Sequence, residues 1–388
     1  MARRPGPLPS VDAVCAAREL DVSLRLVISE FLDTSLDWTL DDAAAQGYLV
    51  LVQRLHAFGT DASEAALDGA ASNGHLSVVQ WLHAHRSDGA TTDAMDAAAA
   101  GGFLAVVQWL HRHRGEGCTV RAMDGAAEHG HVHVLAWLHA HRKEGASTYA
   151  IDAAAAGGHV ATVEWLQSHR VDGATAHAMD SAAANGHLAM VQWLHTHRGE
   201  GCSTRAMDLA LRHGHVAVAR WLHKHRREGC SDQALYGAIA MRKLESVHFL
   251  IDHGYAARAY AWALVWAAKC AASAIVAALL SAFAYSPTQK EVALEAAAAA
   301  GATSVVTLLL PSVAARSSVA MDGAAATGDI GLVRQLHAHG FPCSPLALRS
   351  ANAHGHVAVA SFLEETSAAT PTAGACEKAA VPAVHTNV

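Results

Sequence analysis

The stretch AMDAAAAGGFLAVVQWLHRHRGEGCT, residues 94–119, decides the fold because its pattern returns at a fixed interval. Asp68, Asp96, Asp124, Asp152, Asp180 and Asp208 stand 28 residues apart. Trp81, Trp109, Trp137, Trp165, Trp193 and Trp221 keep the same step, as do Gly74, Gly102, Gly130, Gly158, Gly186 and Gly214. A histidine follows most of these glycines, with Phe103 as the exception. The unit reads AMDxAAxxGHLxVVQWLHxHRxEGCT.

Each unit is predicted to fold as two short antiparallel helices. Thr91, Thr119, Ser147, Thr175, Ser203 and Ser231 form a hydroxyl column ahead of the first helix. There a side-chain oxygen accepts an otherwise unsatisfied backbone N–H. Met95, Ala98 and Ala99 repeat at i, i+3 and i+4, a narrow apolar stripe whose alanines let neighbouring helices approach closely. Gly102 ends that helix at a left-handed turn. The second helix is expected to send Leu104, Val107 and Leu110 to the core, with Trp109 between adjacent repeats.

The phase continues outward in weaker form. Tyr236, Trp266, Glu295, Asp322 and Arg349 are read as later members of the aspartate column, and Asp41 as an earlier one. This gives about twelve helix-turn-helix repeats over residues 38–365, the weakest around 255–315. Residues 1–37 read as N-terminal capping helices or a degenerate repeat, with Val11 to Leu20 and Leu24 to Leu32 as helices. Residues 366–388, rich in Ala, Thr, Ser and Pro, read as a disordered tail.

Composition fits a thin, close-packed core: hydrophobic residues make up 52% of 388, much of it alanine, and aromatics 6%. Charged residues are 16%, with a net charge of −7, which argues against a dedicated nucleic-acid binder. Seven cysteines make no disulfide framework. Cys118, Cys202 and Cys230 share one column, so the nearest two are roughly 10 Å apart, beyond the about 7 Å a bridge tolerates. They read as free thiols in a reducing compartment. Arg18, Glu19, Asp21 and Arg25 interrupt the early apolar stretch, so no signal peptide is evident. Cys270 to Tyr285 carries no formal charge but falls short of the roughly 20 residues of a membrane span.

A 28-residue period also lies in the leucine-rich-repeat range, but the unit has no LxxLxL strand, and tetratricopeptide and HEAT units are longer. The residues AAxxGHLxVVxWL instead resemble the ankyrin repeat, whose second helix commonly follows AAxxGHxxVVxxLL. The resemblance covers roughly residues 38–365 and implies an all-α, ankyrin-like α-solenoid. Two departures stand out. The ankyrin threonine-proline-leucine-histidine is here Thr/Ser-x-x-Ala-Met-Asp, and the unit is about five residues short of 33, where the β-hairpin finger would lie. Short loops are therefore expected in place of β-hairpins. Short, Ala-rich arrays of this kind also resemble those of expanded oomycete and amoeba families. In ankyrin-like units the Gly-His histidine ties the turn to its neighbour, which the resemblance implies here too.

Histidine is the compositional outlier, at 28 residues. Pairs such as His83/His85 and His111/His113 invite a metal reading, but i and i+2 face about 200° apart on a helix. Equivalent histidines of adjacent repeats are also too far apart to share zinc. They are read as a partly buried polar rim. Near pH 6 enough of them would protonate to reverse the net charge. Arg86, Arg114, Arg142, Arg170, Arg198 and Arg226 each precede a carboxylate by two residues, so the stripe is near neutral and reads as ion pairs. The aspartates Asp96, Asp124, Asp152, Asp180 and Asp208 are expected to accept backbone N–H bonds from adjoining units. With the tryptophans they count as structural residues.

No GxSxG, HExxH, CxxC, GxxxxGK[ST] or GxGxxG occurs, so no catalytic, cofactor or metal site is expected and the chain reads as a non-enzyme. Binding is the expected function, through columns that stacking leaves free to vary. The clearest lies three residues before the aspartate: Asp93, Arg121, Tyr149, His177, Arg205 and Gln233. Glu128 and Arg212 share that helix-one face, which should be concave in an ankyrin-like stack. Arg121, Tyr149 and Arg205 are the hot-spot types. The reading is a cytoplasmic protein-interaction scaffold, with the nucleus as a second location: a monomer that binds protein, not nucleic acid or membrane. A substrate-presenting subunit of an enzyme complex and a polyanion binder are the alternatives. Thr386-Asn387-Val388 resembles a PDZ-ligand terminus.

Overall fold

The computed structural model describes residues 38–169, 173–314 and 317–369. Residues 1–37, Arg170, Asp172 and the terminal Thr386-Asn387-Val388, on which several expectations rest, lie outside the described residues. The described residues fall into two compact units, divided between Ala178 and Met179.

The first unit holds five complete helix pairs: Leu40–Ala45 with Leu49–Ala57, Glu64–Ser72 with Leu76–His85, Thr92–Ala100 with Leu104–His113, Val120–Glu128 with Val132–His141, and Tyr149–Ala156 with Val160–His169. These are repeats 1 to 5. The helix Ala176–Ala184 crosses the unit boundary and, with Leu188–His197, makes repeat 6. Repeats 7 to 12 lie in the second unit, with first helices Thr204–His213, Asp232–Ala240, Tyr260–Lys269, Pro287–Ala299, Val319–Thr327 and Pro345–Ala353. The last second helix, Val357–Ala369, runs to the end of the described chain. Among the described residues there is no strand, so the fold is an all-α solenoid with short turns where β-hairpins would stand.

Alanine decides how the layers sit. First helices pack chiefly on the first helices of adjacent repeats, more closely than second helices do on theirs. Ala98 and Ala99 are fully buried, and so are their counterparts Ala126 and Ala127. From the second helix Val106, Val107 and Leu110 complete the core. Leu104 does not join them as expected: it opens the helix beside the turn and is only half-buried, and Val106 fills the inward position.

The burial pattern corrects one register assignment. Ala206-Met207 and Ala210-Leu211 are buried either side of Asp208, and Ala263-Leu264 and Ala267-Ala268 repeat that pattern around Val265. Val265, not Trp266, therefore continues the aspartate column in repeat 9. The preceding link differs too. A 3₁₀ turn, Tyr255–Arg258, leads into that helix, and Ala259 gives it no side-chain cap. The suspected apolar run contributes the helix Ser273–Ala282, with Ile275, Val276 and Leu279 buried in the repeat core. Among the described residues no helix is long and apolar enough to cross a membrane.

Most turns between the two helices place glycine at positive φ, as at Gly102, φ 76°. Ala271 takes the equivalent turn of repeat 9 at φ 54°. A Cβ in that region costs about 1–2 kcal/mol. Ala271→Gly is therefore expected to stabilise repeat 9 by about 1 kcal/mol, after the added chain entropy of glycine. A hydrogen-exchange comparison of the amides between residues 260 and 282 checks this; unchanged or faster exchange there would refute it.

Candidate partner-binding face

The aspartate column sews each repeat to the next. The Asp96 carboxylate accepts the Thr119 backbone N–H at 2.8 Å and the Thr119 hydroxyl at 2.6 Å. Thr119 in turn accepts the Arg121 N–H at 3.1 Å, capping its own helix. Asp124 holds Ser147, Asp152 holds Thr175, Asp180 holds Ser203 and Asp208 holds Ser231 in the same two-bond way. All five carboxylates are buried. At Asp208 burial outweighs these bonds and lifts its pKa above the usual aspartate value.

The tryptophans lie half-buried in a second ladder. Trp109 stacks on His113, ring centroids 4.5 Å apart, and meets the edge of His83 from the preceding repeat at 5.1 Å. Trp81, Trp137, Trp165 and Trp221 repeat both contacts. Trp193 stacks on His197 at 4.6 Å. Arg114 donates to His83 Nδ1 at 3.4 Å and pairs with Glu116 at 2.5 Å. Guanidinium can only donate, so His83 Nδ1 is the acceptor and its ring proton sits on Nε2. His113 is the opposite tautomer at the same atom, donating from Nδ1 to the Trp109 carbonyl at 2.9 Å. His83 and His113, which both meet Trp109, thus have separate jobs, and among the described residues no group of three or more His, Cys, Asp or Glu could hold a metal ion.

The turn histidine covers its neighbour. A Cβ on Gly102 would lie 2.7 Å from the His131 ring, so glycine makes room for that ring as well as for the turn. Burial, then His133, His129 and His159, push the His131 pKa below the ordinary 6.5. Burial, His213, His187 and Lys243 do the same at His215. Below pH 6.5 the unfolded chain takes up protons that these rings refuse while folded. Their contribution to stability is therefore complete above that pH and lost as pH falls below it. Urea midpoints are expected to fall between pH 7.5 and pH 5.5, and His131→Gln should flatten the fall; an unchanged slope would exclude His131 as a source.

Three thiols of one column, Cys118, Cys202 and Cys230, are shielded: Cys118 is buried, the other two are half-buried, and none is in a disulfide. Burial pushes Cys202 to about 11 and Cys230 to about 12, so little thiolate forms near neutrality.

What stacking leaves open is the helix-one face. In the first unit Asp93, Arg121, Tyr149 and His177 are all exposed. Arg121 pairs with Asp93 of the preceding repeat at 3.2 Å. A groove of about 420 Å³ brings together Asp93, Arg121, Glu128 and Tyr149, with Asp96, Asp124 and His129 beside them and Ala97, Ala100 and Gly125 as a small-residue floor. The floor is tight: a Cβ on Gly125 would lie 2.7 Å from the Ala100 methyl. His177 does not line this groove. In the second unit Arg205, Gln233 and Arg212 are exposed, and the Arg212 stem lies over Gly237. Sequence reasoning placed Ala100 on this face but missed His129, Ala97 and Gly125. Only the alternation Gly69, Ala97, Gly125 after each aspartate hinted at the last two.

The family described as ankyrin repeats in many copies matches residues 67–111, 123–167, 151–195 and 179–223. No curated protein matches the chain. Among solved structures it is similar to the pentatricopeptide repeat protein PPR10 in complex with an 18-nt psaJ RNA element, and to a cysteine-to-serine variant in the same complex. Each likeness has 13% identity and a TM-score of 0.35 and covers 93% of this chain and 66% of that one. Those structures hold RNA, and the expectation that this chain does not bind nucleic acid is withdrawn on that finding; so distant a likeness says nothing of what it does bind. With paired short helices, Gly-His turns and four family matches spread over residues 67–223, the chain is an ankyrin-repeat protein.

Proposed function

We propose that the chain is a non-enzymatic protein-interaction scaffold whose helix-one face binds its partner, and that the first-unit groove takes a basic segment. The groove itself carries this reading. Two exposed carboxylates, Asp93 and Glu128, line it against one guanidinium, Arg121, which is already paired with Asp93, while Asp96 and Asp124 lie buried there and are held by Thr119 and Ser147. A lysine or arginine side chain could lay its stem on Ala97, Ala100 and Gly125 and bring its charge to Glu128 and the Tyr149 ring, a cation–π wall. Ankyrin repeats generally mediate protein–protein interaction, which supports a protein as partner. His177 and, on the second unit, Arg205, Gln233 and Arg212 extend the binding face in this reading. The unbridged thiols of Cys118, Cys202 and Cys230 support the cytoplasm as the place of action.

The test is Glu128→Lys with Tyr149→Ala in a protein that keeps its helical circular dichroism. Partners recovered from native cells with the unaltered chain should lose about tenfold or more in affinity. Wild-type affinity in the variant, or recovery of RNA in place of protein, would overturn the proposal.

A further inference from the structure

The helix-one face changes chemistry along the second unit. The column occupied by Arg205 and Gln233 in repeats 7 and 8 continues, in the corrected register, as Trp262, Val292, Val319 and Leu346 in repeats 9 to 12. These four are 68%, 42%, 53% and 49% exposed. Trp266, one turn beyond Trp262, is 39% exposed and carries the Lys269 ammonium 5.7 Å from its ring centroid. Isolated apolar residues are ordinary on a surface, but one column that is apolar in four consecutive repeats marks a contact surface.

Small residues make the floor of this track. In repeats 10 to 12, Ala296, Ala299, Gly323, Ala326 and Ala353 follow Val292, Val319 and Leu346 on the same helical face. Repeats 10 and 11 close up there, since a Cβ on Gly323 would lie 3.0 Å from Ala299. The charges alongside are unbalanced. Asp208 is held by Ser231, Asp322 by Ser318 and Ser344, and Glu295 is half-buried. Arg205, Arg212 and Lys269 are exposed. Arg349 is exposed as well, against one exposed acid, Asp232, so the free charge beside the apolar column is positive on balance.

Spacing selects the shape of the occupant. Adjacent helices pack about 8–10 Å apart, and an α-helix advances about 10.5 Å in seven residues. A helix laid across the repeats thus brings the same face to each of them. An extended strand covers that step in about three residues and turns alternate side chains away.

We propose that Trp262, Val292, Val319 and Leu346, with Arg205, Arg212 and Lys269 beside them, form a docking surface for an amphipathic α-helix of a partner protein. Its apolar face carries residues at heptad spacing and its flank is acidic. The proposal rests on the helix-one face being the binding face, but it uses no residue of the first-unit groove.

The experiment selects peptides of about 20 residues, the helical length that spans four repeats, from a displayed random library against the full chain. Recovered sequences should show apolar residues at i, i+3 or i+4 and i+7 with Asp or Glu beside them. Their affinity, read by fluorescence anisotropy, should fall about tenfold or more in Trp262→Asp and again in Leu346→Ser. Arg205→Glu with Arg212→Glu should weaken them and favour versions whose acids are replaced by lysine. Glu128→Lys with Tyr149→Ala should leave them unchanged, which separates this surface from the first-unit groove. No enrichment, patternless peptides, or equal affinity in folded Trp262→Asp would overturn the proposal. So would self-association of the full chain that Trp262→Asp abolishes, which would assign the column to a second copy.

Discussion

Trp137→Ala is expected to cost about 3 kcal/mol, the low end for a large aromatic because this ring keeps part of its surface in water. The loss has two sources. The indole stacks on His141 at 4.5 Å within its own repeat and meets the edge of His111 from the preceding one at 5.2 Å. Stability in stacked repeats is a sum of repeat and nearest-neighbour terms. Exchange should therefore quicken first in repeats 3 and 4, then in repeat 5, and last in repeat 1. Amide hydrogen exchange followed by mass spectrometry reads this order. Equal loss of protection in repeats 1 to 5 would show a cooperative block rather than a chain of local terms.

Asp124→Ala should cost a comparable about 3 kcal/mol, because two hydrogen bonds to a buried charged group disappear together. Both end on Ser147, its N–H at 2.9 Å and its hydroxyl at 2.6 Å. The Ser147 oxygen still accepts the Tyr149 N–H, so the helix Tyr149–Ala156 keeps its own cap. The defect is then a loosened junction between repeats 4 and 5, not a melted helix. Asp124→Asn, which keeps an acceptor and the volume, should cost less than Ala. Thermal unfolding of both variants, with exchange mapping, tests it: an alanine variant as stable as the wild type would mean the carboxylate only breaks even against its own desolvation.

Repeats 2 to 7 were legible because the same residues serve twice, setting helix phase and joining neighbours. Asp96, Trp109 and Gly102 each mark a position in the sequence and make a contact in the fold. Where those markers drop out, spacing alone misleads. Repeat 9 has valine at the aspartate position, no serine or threonine cap and an extra 3₁₀ turn ahead of it, so the conspicuous Trp266 drew the register one residue off. That shift hid Trp262 and with it the apolar column. The groove was half legible. Variation among Asp93, Arg121 and Tyr149 showed which side chains stacking leaves free, but its floor depends on how closely Gly125 meets Ala100, a packing distance no periodicity reveals. That His83 and His113 carry their ring protons on opposite nitrogens was not legible at all, because it follows from the positions of Arg114 and the Trp109 carbonyl.

The aspartate-to-hydroxyl bond has an orientation along the polypeptide: the carboxylate belongs to the earlier repeat and the serine or threonine to the later one, 23 residues on. Each repeat therefore leaves the ribosome with the docking carboxylate for its successor already in place. Within each unit the array can add turn after turn at its growing end, as a polar filament adds subunits. An interrupted translation product would then end in a hydrated carboxylate and a bared alanine face, both waiting for the repeat that never came.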